Sequence, residues 1–279
     1  MGNAYSSVVK TAQDYYNSDD ADNFYFHVWG GEDIHIGLYD SPQEDIAVAS
    51  QRTVAAMAEQ CAKGLSAESK IIDIGSGYGG SARRLAKKFG CHVYCLNLSE
   101  AQNSRNRDMT MKQSLASQIE VVDGNFEAIP AGDAQFNLAW SQDAILHSGR
   151  RAKVLQEVDR VLQSGGEFIF TDPMQADDCP DGVLQPVLDR IHLDTLGSFQ
   201  FYRDQAAQLG WEEISVTDYT QQLVNHYSRV REELTQRRDE LQQHVSEQYI
   251  DRMIEGLGHW IDAGGNGYLT WGILHFRKP

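Results

Sequence analysis

Basic residues are scarce in this chain. Its 279 residues carry 24 Lys and Arg, only eight of them Lys, against 40 Asp and Glu, for a formal net charge of −16. So acidic a balance argues against nucleic acid or an anionic membrane as a partner. It leaves two readings of the surface: an ordinary soluble acidic protein, or one adapted to high internal salt, where screening relieves carboxylate repulsion. No apolar run approaches the roughly 18 residues that a transmembrane helix requires. The opening residues MGNAYSSVVK fit neither a signal peptide nor an Arg-rich transit segment, and the chain is expected to be soluble and cytoplasmic. Gly2 and Ser6 match a myristoylation pattern, but nothing polybasic supports an anchor. Cys61, Cys91, Cys95 and Cys179 are scattered, which fits neither a metal site nor a disulfide framework and predicts reduced, packed thiols.

Repeats and low-complexity linkers are also absent, so the length fits one α/β core with an elaborated lobe. Apolar spacing predicts a helix over 44–63, ending at Gly64. Strands and helices then alternate: strands at 70–75, 92–99, 119–126, 136–142 and 167–173, with helices at 81–89, 100–115 and 150–162 between them. Apolar runs separated by helices imply a doubly wound, Rossmann-like, mostly parallel sheet with ligands at the strands' C-terminal ends. Beyond Asp172 the spacing predicts helix over 174–210, a strand at 212–219, a long polar helical stretch over 222–262 and a closing antiparallel strand at 268–278. The whole chain, 1–279, is thus expected to be one domain, with a helical lid from 1–43, 174–205 and 220–264.

The stretch IIDIGSGYGG (71–80) is a buried strand that runs into a glycine-rich turn and then a helix N-terminus with free N–H groups. Gly75, Gly77 and Gly80 also fit the dinucleotide pattern G-x-G-x-x-G. Two neighbours favour S-adenosylmethionine instead. Asp73 stands where enzymes using that cofactor keep an acid to orient the loop and the methionine ammonium. The ribose position, where a nicotinamide site expects Asp or Glu, holds Asn97 beside Leu98. Gln102 lies one helical turn on, facing the same pocket, and Asn97 alternatively caps that helix. Asn125 and Phe126 end the third strand, where an amide reads the adenine edge and a ring stacks on it; Phe126 serves equally as core. Ser141 and Gln142 end the fourth strand beneath the sulfonium.

The blocks WSQDAILHS (140–148), TDPM (171–174), HVWGGEDIHIGLY (27–39), DRI (189–191), NHYSRV (225–230) and GLGHW (256–260) narrow the field. With them the sequence, from about residue 15 onward, resembles the sarcosine/dimethylglycine N-methyltransferases of glycine-betaine synthesis. It is more distantly similar to phosphoethanolamine methyltransferases and cyclopropane-fatty-acid synthases. The resemblance implies methyl transfer from S-adenosylmethionine to sarcosine and then dimethylglycine. Asn97 departs from the superfamily's usual acid at the ribose position.

A quaternary ammonium product cannot donate hydrogen bonds, so aromatic faces are its natural hosts. Tyr25, Trp29, Tyr202, Tyr227 and Trp260 are candidates, each of which packing alone also explains. The substrate carboxylate calls for a bidentate arginine. Arg190 is the first choice, favoured by the phosphate-gripping arginine of phosphoethanolamine methyltransferases, and Arg203 the second. The same resemblance pairs His147 with Tyr25 as a latch that closes the site and is able to accept the amine proton. Asp143 and Asp172 are expected to steer the ammonium, Asp172 alternatively capping its strand.

The expected partner is a small amino acid, with no nucleic acid, membrane or metal, for a chain acting as a monomer or weak homodimer. A related small-amine methyltransferase, such as one for phosphoethanolamine, is the alternative enzyme, which the acidic lid disfavours. A nicotinamide oxidoreductase and a non-catalytic cofactor-binding module are the remaining classes.

Overall fold

The computed structural model describes residues 7–279, so Gly2 and Ser6 lie outside the described residues. Two short helices, α1 (Ser7–Tyr16) and α2 (Asp19–Val28), lead into α3 (Ile46–Cys61). The alternating core follows as β1 (Lys70–Ile74), α4 (Gly80–Phe89), β2 (His92–Asn97), α5 (Glu100–Lys112), β3 (Ile119–Asp123), β4 (Phe136–Gln142), α6 (Arg151–Val161) and β5 (Leu162–Gln175). The remainder is α7 (Gln185–Ile191), α8 (Phe199–Gln208), β6 (Glu212–Asp218), α9 (Thr220–Gln236), the short α10 (Arg238–Leu241), α11 (Glu247–Gly265) and β7 (Leu269–Arg277).

The seven strands form one sheet in the order β3-β2-β1-β4-β5-β7-β6. The pairs among β1 to β5 are parallel, and β7 runs antiparallel to both neighbours. This is the doubly wound sheet the sequence predicts. The inner strands are buried on both faces, which is why they read as continuous apolar runs.

Three stretches differ from expectation. The fifth strand runs from Leu162 to Gln175, because Phe136 pairs with Leu162 while Leu138 pairs with Glu167; the residues between, with Gly165 at φ +78°, bulge out. The span 174–210 is not one helix: residues 176–184 are non-helical, and α7 and α8 are separate. The span 222–262 is not one helix, which would extend roughly 60 Å: α9 ends at Gln236, the short α10 follows, and α11 starts at Glu247. Ser246 caps the new start by accepting from the Tyr249 N–H. The break folds α11 back on α9, and both bury apolar faces in one core with α2: Phe24, Val28, Leu223, Val230, Ile250 and Leu257. That core is distinct from the two on the faces of the sheet. Cys61, Cys91 and Cys95 are buried and Cys179 is half-buried, all as free thiols; burial pushes Cys61 up to about 12. Among the described residues no helix is long and apolar enough to cross a membrane.

Candidate active site

The C-terminal ends of β1 to β4 open into a cleft lined by Gly75, Gly77, Asn97, Leu98, Gln102, Asn125, Phe126, Gln142, Asp143 and His147. Gly75 has φ +77°, and a Cβ there would come within 2.3 Å of the Ala144 Cβ. Only glycine lets the turn pass so close to the loop after β4. Its N–H is held by the Leu96 carbonyl at 2.8 Å. Asn97 Nδ2 donates to Gln102 Oε1 at 2.9 Å, which leaves Gln102 Nε2 buried without a partner.

Asp73 lines an adjoining recess with Asp33, His35, Ser76 and Gln142. It is 3% exposed, and no described residue donates a hydrogen bond to it. Burial pushes it up to about 7; the charge of His35 opposes this and Asp33 adds to it. Gln142 Oε1 accepts from Ser81 and Trp140, while its amide nitrogen and Ser76 Oγ have no hydrogen-bond partner; His35 Nε2 and Asp33 Oδ1 face each other as an ion pair at 3.8 Å. Buried polar groups are rarely left unmatched. A recess with unpaired acceptors and donors beside a glycine turn, continuous with amides and a phenyl ring, fits a ligand with a zwitterionic head and a nucleoside tail. The residues present therefore fit S-adenosylmethionine.

A second cavity adjoins the first, and Tyr16, Tyr25, Ile34, Asp143 and His147 line both. Its walls include Trp29, Tyr227 and Trp260, with Tyr25 and Trp29 ring centroids 5.3 Å apart and Tyr227 and Trp260 5.2 Å apart. Arg190 also lines it. Its Nη2 meets the Met253 sulfur at 3.0 Å, and among the described residues it has no carboxylate partner. Asp143 sits at the junction with φ +51° and accepts from the Ile36 N–H at 2.6 Å and from Thr171 and Trp271 at 2.8 Å. Burial raises its pKa, and His35 and these donors counter that.

Five expectations need correction. The hydroxyl bound to His147 Nε2 is that of Tyr16, at 2.7 Å, not that of Tyr25. The last turn of α1 lies over His147, whereas Tyr25 stacks behind Tyr16 at 5.5 Å and its hydroxyl meets Tyr15 at 3.4 Å. Tyr202 is fully buried and donates to Asp172 Oδ2 at 2.6 Å, so it is no cavity wall. Asp172 is equally enclosed: it accepts the Leu146 N–H at 2.9 Å and thereby anchors the turn carrying His147. Burial pushes it up to about 7 against the Tyr202 hydrogen bond. Ser141 faces away, donating to the Ile74 carbonyl. Arg203 pairs with Glu213 outside both cavities. The remaining sequence-predicted site residues line the cleft, its recess or the second cavity. Sequence reasoning missed Tyr15, Tyr16 and His35 as lining residues, although Tyr16 lies in the aromatic N-terminal segment and His35 within the DIHIG block.

The methyltransferase domain family matches residues 72–170. The chain is 58% identical to a sarcosine/dimethylglycine N-methyltransferase of Halorhodospira halochloris, over 97% of this chain and 96% of that one. It is 56% identical to its counterpart in Aphanothece halophytica over 98% of both. A crystal structure from Galdieria sulphuraria, assigned as a sarcosine dimethylglycine methyltransferase, matches with a TM-score of 0.90 at 44% identity over 95% of this chain and 98% of that one. A phosphoethanolamine N-methyltransferase of Haemonchus contortus with S-adenosylhomocysteine bound shares the fold, with a TM-score of 0.84 at 17% identity over 99% of this chain and 61% of that one. With this fold, these two adjoining cavities and identities above one half over nearly its whole length, the chain belongs to the S-adenosylmethionine-dependent sarcosine/dimethylglycine N-methyltransferases.

Proposed function

We propose that this chain converts sarcosine to dimethylglycine and dimethylglycine to glycine betaine, in the cytoplasm, as a monomer or weak homodimer. The observation that carries the reading is the second cavity: aromatic faces around an arginine that has no acidic partner among the described residues, opening onto the cofactor cleft at Tyr16, Asp143 and His147. When bound, S-adenosylmethionine supplies a sulfonium methyl group open to attack by an amine.

Asp73 takes the methionine ammonium, Asn97 and Gln102 the ribose, and Asn125 and Phe126 the adenine, with the glycine turn against the chain between. Arg190 takes the substrate carboxylate. Tyr25, Trp29, Tyr227 and Trp260 surround the amine, whose charge grows as it gains a methyl, so these faces favour the transition state over the neutral reactant. Asp143, its carboxylate oriented by three donors, balances that charge. His147 is pushed down to about 4, by burial first and then by Arg151, and is a poor base at neutral pH. Its part is to hold Tyr16 across the junction and so exclude water. The described part of 1–43, from residue 7 on, acts with 174–205 and 220–264 as the lid of this single domain.

The cavity contains one Arg and no Lys among its described lining residues, which disfavours a phosphate-bearing amine. Methyl transfer from labelled S-adenosylmethionine to glycine, sarcosine, dimethylglycine and phosphoethanolamine in parallel tests the proposal. Turnover of sarcosine and dimethylglycine is expected. Turnover of phosphoethanolamine alone would overturn it.

A further inference from the structure

Gly256 lies in the middle of α11, where glycine weakens a helix relative to alanine. No left-handed backbone requires it, since Gly256 is absent from the glycines with positive φ. The space its missing side chain leaves is taken by Arg190: a Cβ at 256 would lie 2.6 Å from Arg190 Cδ and Nε and 2.9 Å from Cζ. One turn away on the same helix, the Met253 sulfur meets Arg190 Nη2 at 3.0 Å. Leu257 and Trp260, on the adjoining face, line the substrate cavity. Of the glycines in α11, Gly256 is the one whose missing side chain Arg190 fills, and Arg190 therefore reaches that cavity by lying across the helix there.

We propose that Gly256 is a positioning residue: it fixes where the Arg190 guanidinium sits, and so sets which carboxylate-to-amine length the cavity accepts. The inference rests on the reading of Arg190 as the carboxylate grip. The clash that a larger residue creates falls on the outer atoms of a flexible side chain, not on backbone. The fold can therefore tolerate substitution while the guanidinium cannot keep its place. A planar fork loses bidentate contact with small displacements, which makes substrate affinity the sensitive quantity.

The test is Gly256→Ala in the full chain, alone and combined with Arg190→Ala. The single variant is expected to raise the sarcosine and dimethylglycine KM about tenfold, a fold-change within the range for one charge-assisted hydrogen bond. The expected kcat is nearly unchanged, the melting temperature is no lower, and the Kd for S-adenosylhomocysteine by calorimetry is unaltered. In the Arg190→Ala background, Gly256→Ala is expected to change kcat/KM by less than about twofold, because no guanidinium remains to displace. Met253→Leu, which keeps the volume and removes the sulfur contact, should raise KM about twofold to threefold. An unchanged KM in Gly256→Ala, or the same penalty with and without Arg190, overturns the inference while the carboxylate reading stands. If Arg190→Ala itself leaves sarcosine kinetics unchanged, the carboxylate reading falls and the inference with it.

Discussion

The two cavities are built by different parts of the chain under different physics. The cofactor cleft sits on strand ends and a glycine turn, so backbone geometry fixes it, and Gly75 tolerates no side chain. The substrate cavity is walled by side chains from α1, α2, α7, α9 and α11, elements far apart in sequence that meet in one apolar core. A site made of backbone resists change until a clash destroys it. A site made of converging side chains is tuned residue by residue.

The largest effect should come from breaking the backbone-built side. Gly75→Val places a branched residue at φ +77° against Ala144, and calorimetry should detect no S-adenosylhomocysteine binding while circular dichroism shows a folded sheet. Asp73→Asn comes next. Burial keeps this acid protonated up to about 7 in the folded chain, against an ordinary value of 3.8. The folded form then holds more protons than the unfolded one between those values, so stability falls as pH rises from about 4 to 7. Asp73→Asn removes that loss and should raise the melting temperature of the free protein at pH 8 by a few degrees. It should also weaken S-adenosylhomocysteine binding roughly a hundredfold, since a charge-assisted bond to the ammonium is lost. A melting temperature that drops at pH 8 would show that the carboxylate stabilises the free chain.

On the side-chain-built half the effects should be graded. Arg190→Lys keeps the charge but loses the fork, and the sarcosine kcat/KM should fall roughly tenfold to fiftyfold through KM, with cofactor affinity intact. Tyr16→Phe removes the hydroxyl at His147 and should lower kcat roughly threefold to tenfold with little change in KM. Tyr25→Phe, whose hydroxyl does not reach His147, should do less. The reverse ranking of these two tyrosines would restore Tyr25 as the latch.

The same contrast decides what the sequence reveals. Strand ends are ordered by the fold itself, so Asp73, Asn97, Gln102, Asn125 and Gln142 could each be placed from the alternation of strands and helices. Periodicity carries no such rule for the lid. Residues 15–29 are rich in aromatics, but which of Tyr16 and Tyr25 reaches His147 depends on how α1 crosses the loop after β4. Tyr202 and Asp172 depart from expectation for a related reason: an aromatic and a carboxylate near a strand end look the same in sequence whether they face the cavity or support the turn behind it. Ser141 and Gln142 are adjacent on β4 and must point to opposite faces, so only one of them could have lined the cleft.

The most direct test is a crystal structure with S-adenosylhomocysteine and dimethylglycine bound together. The account predicts the dimethylglycine carboxylate on the Arg190 guanidinium, with its amine enclosed by Tyr25, Trp29, Tyr227 and Trp260 and facing the sulfur of the cofactor product. A carboxylate bound elsewhere, with Arg190 still lying against Met253 and free of ligand, would contradict it.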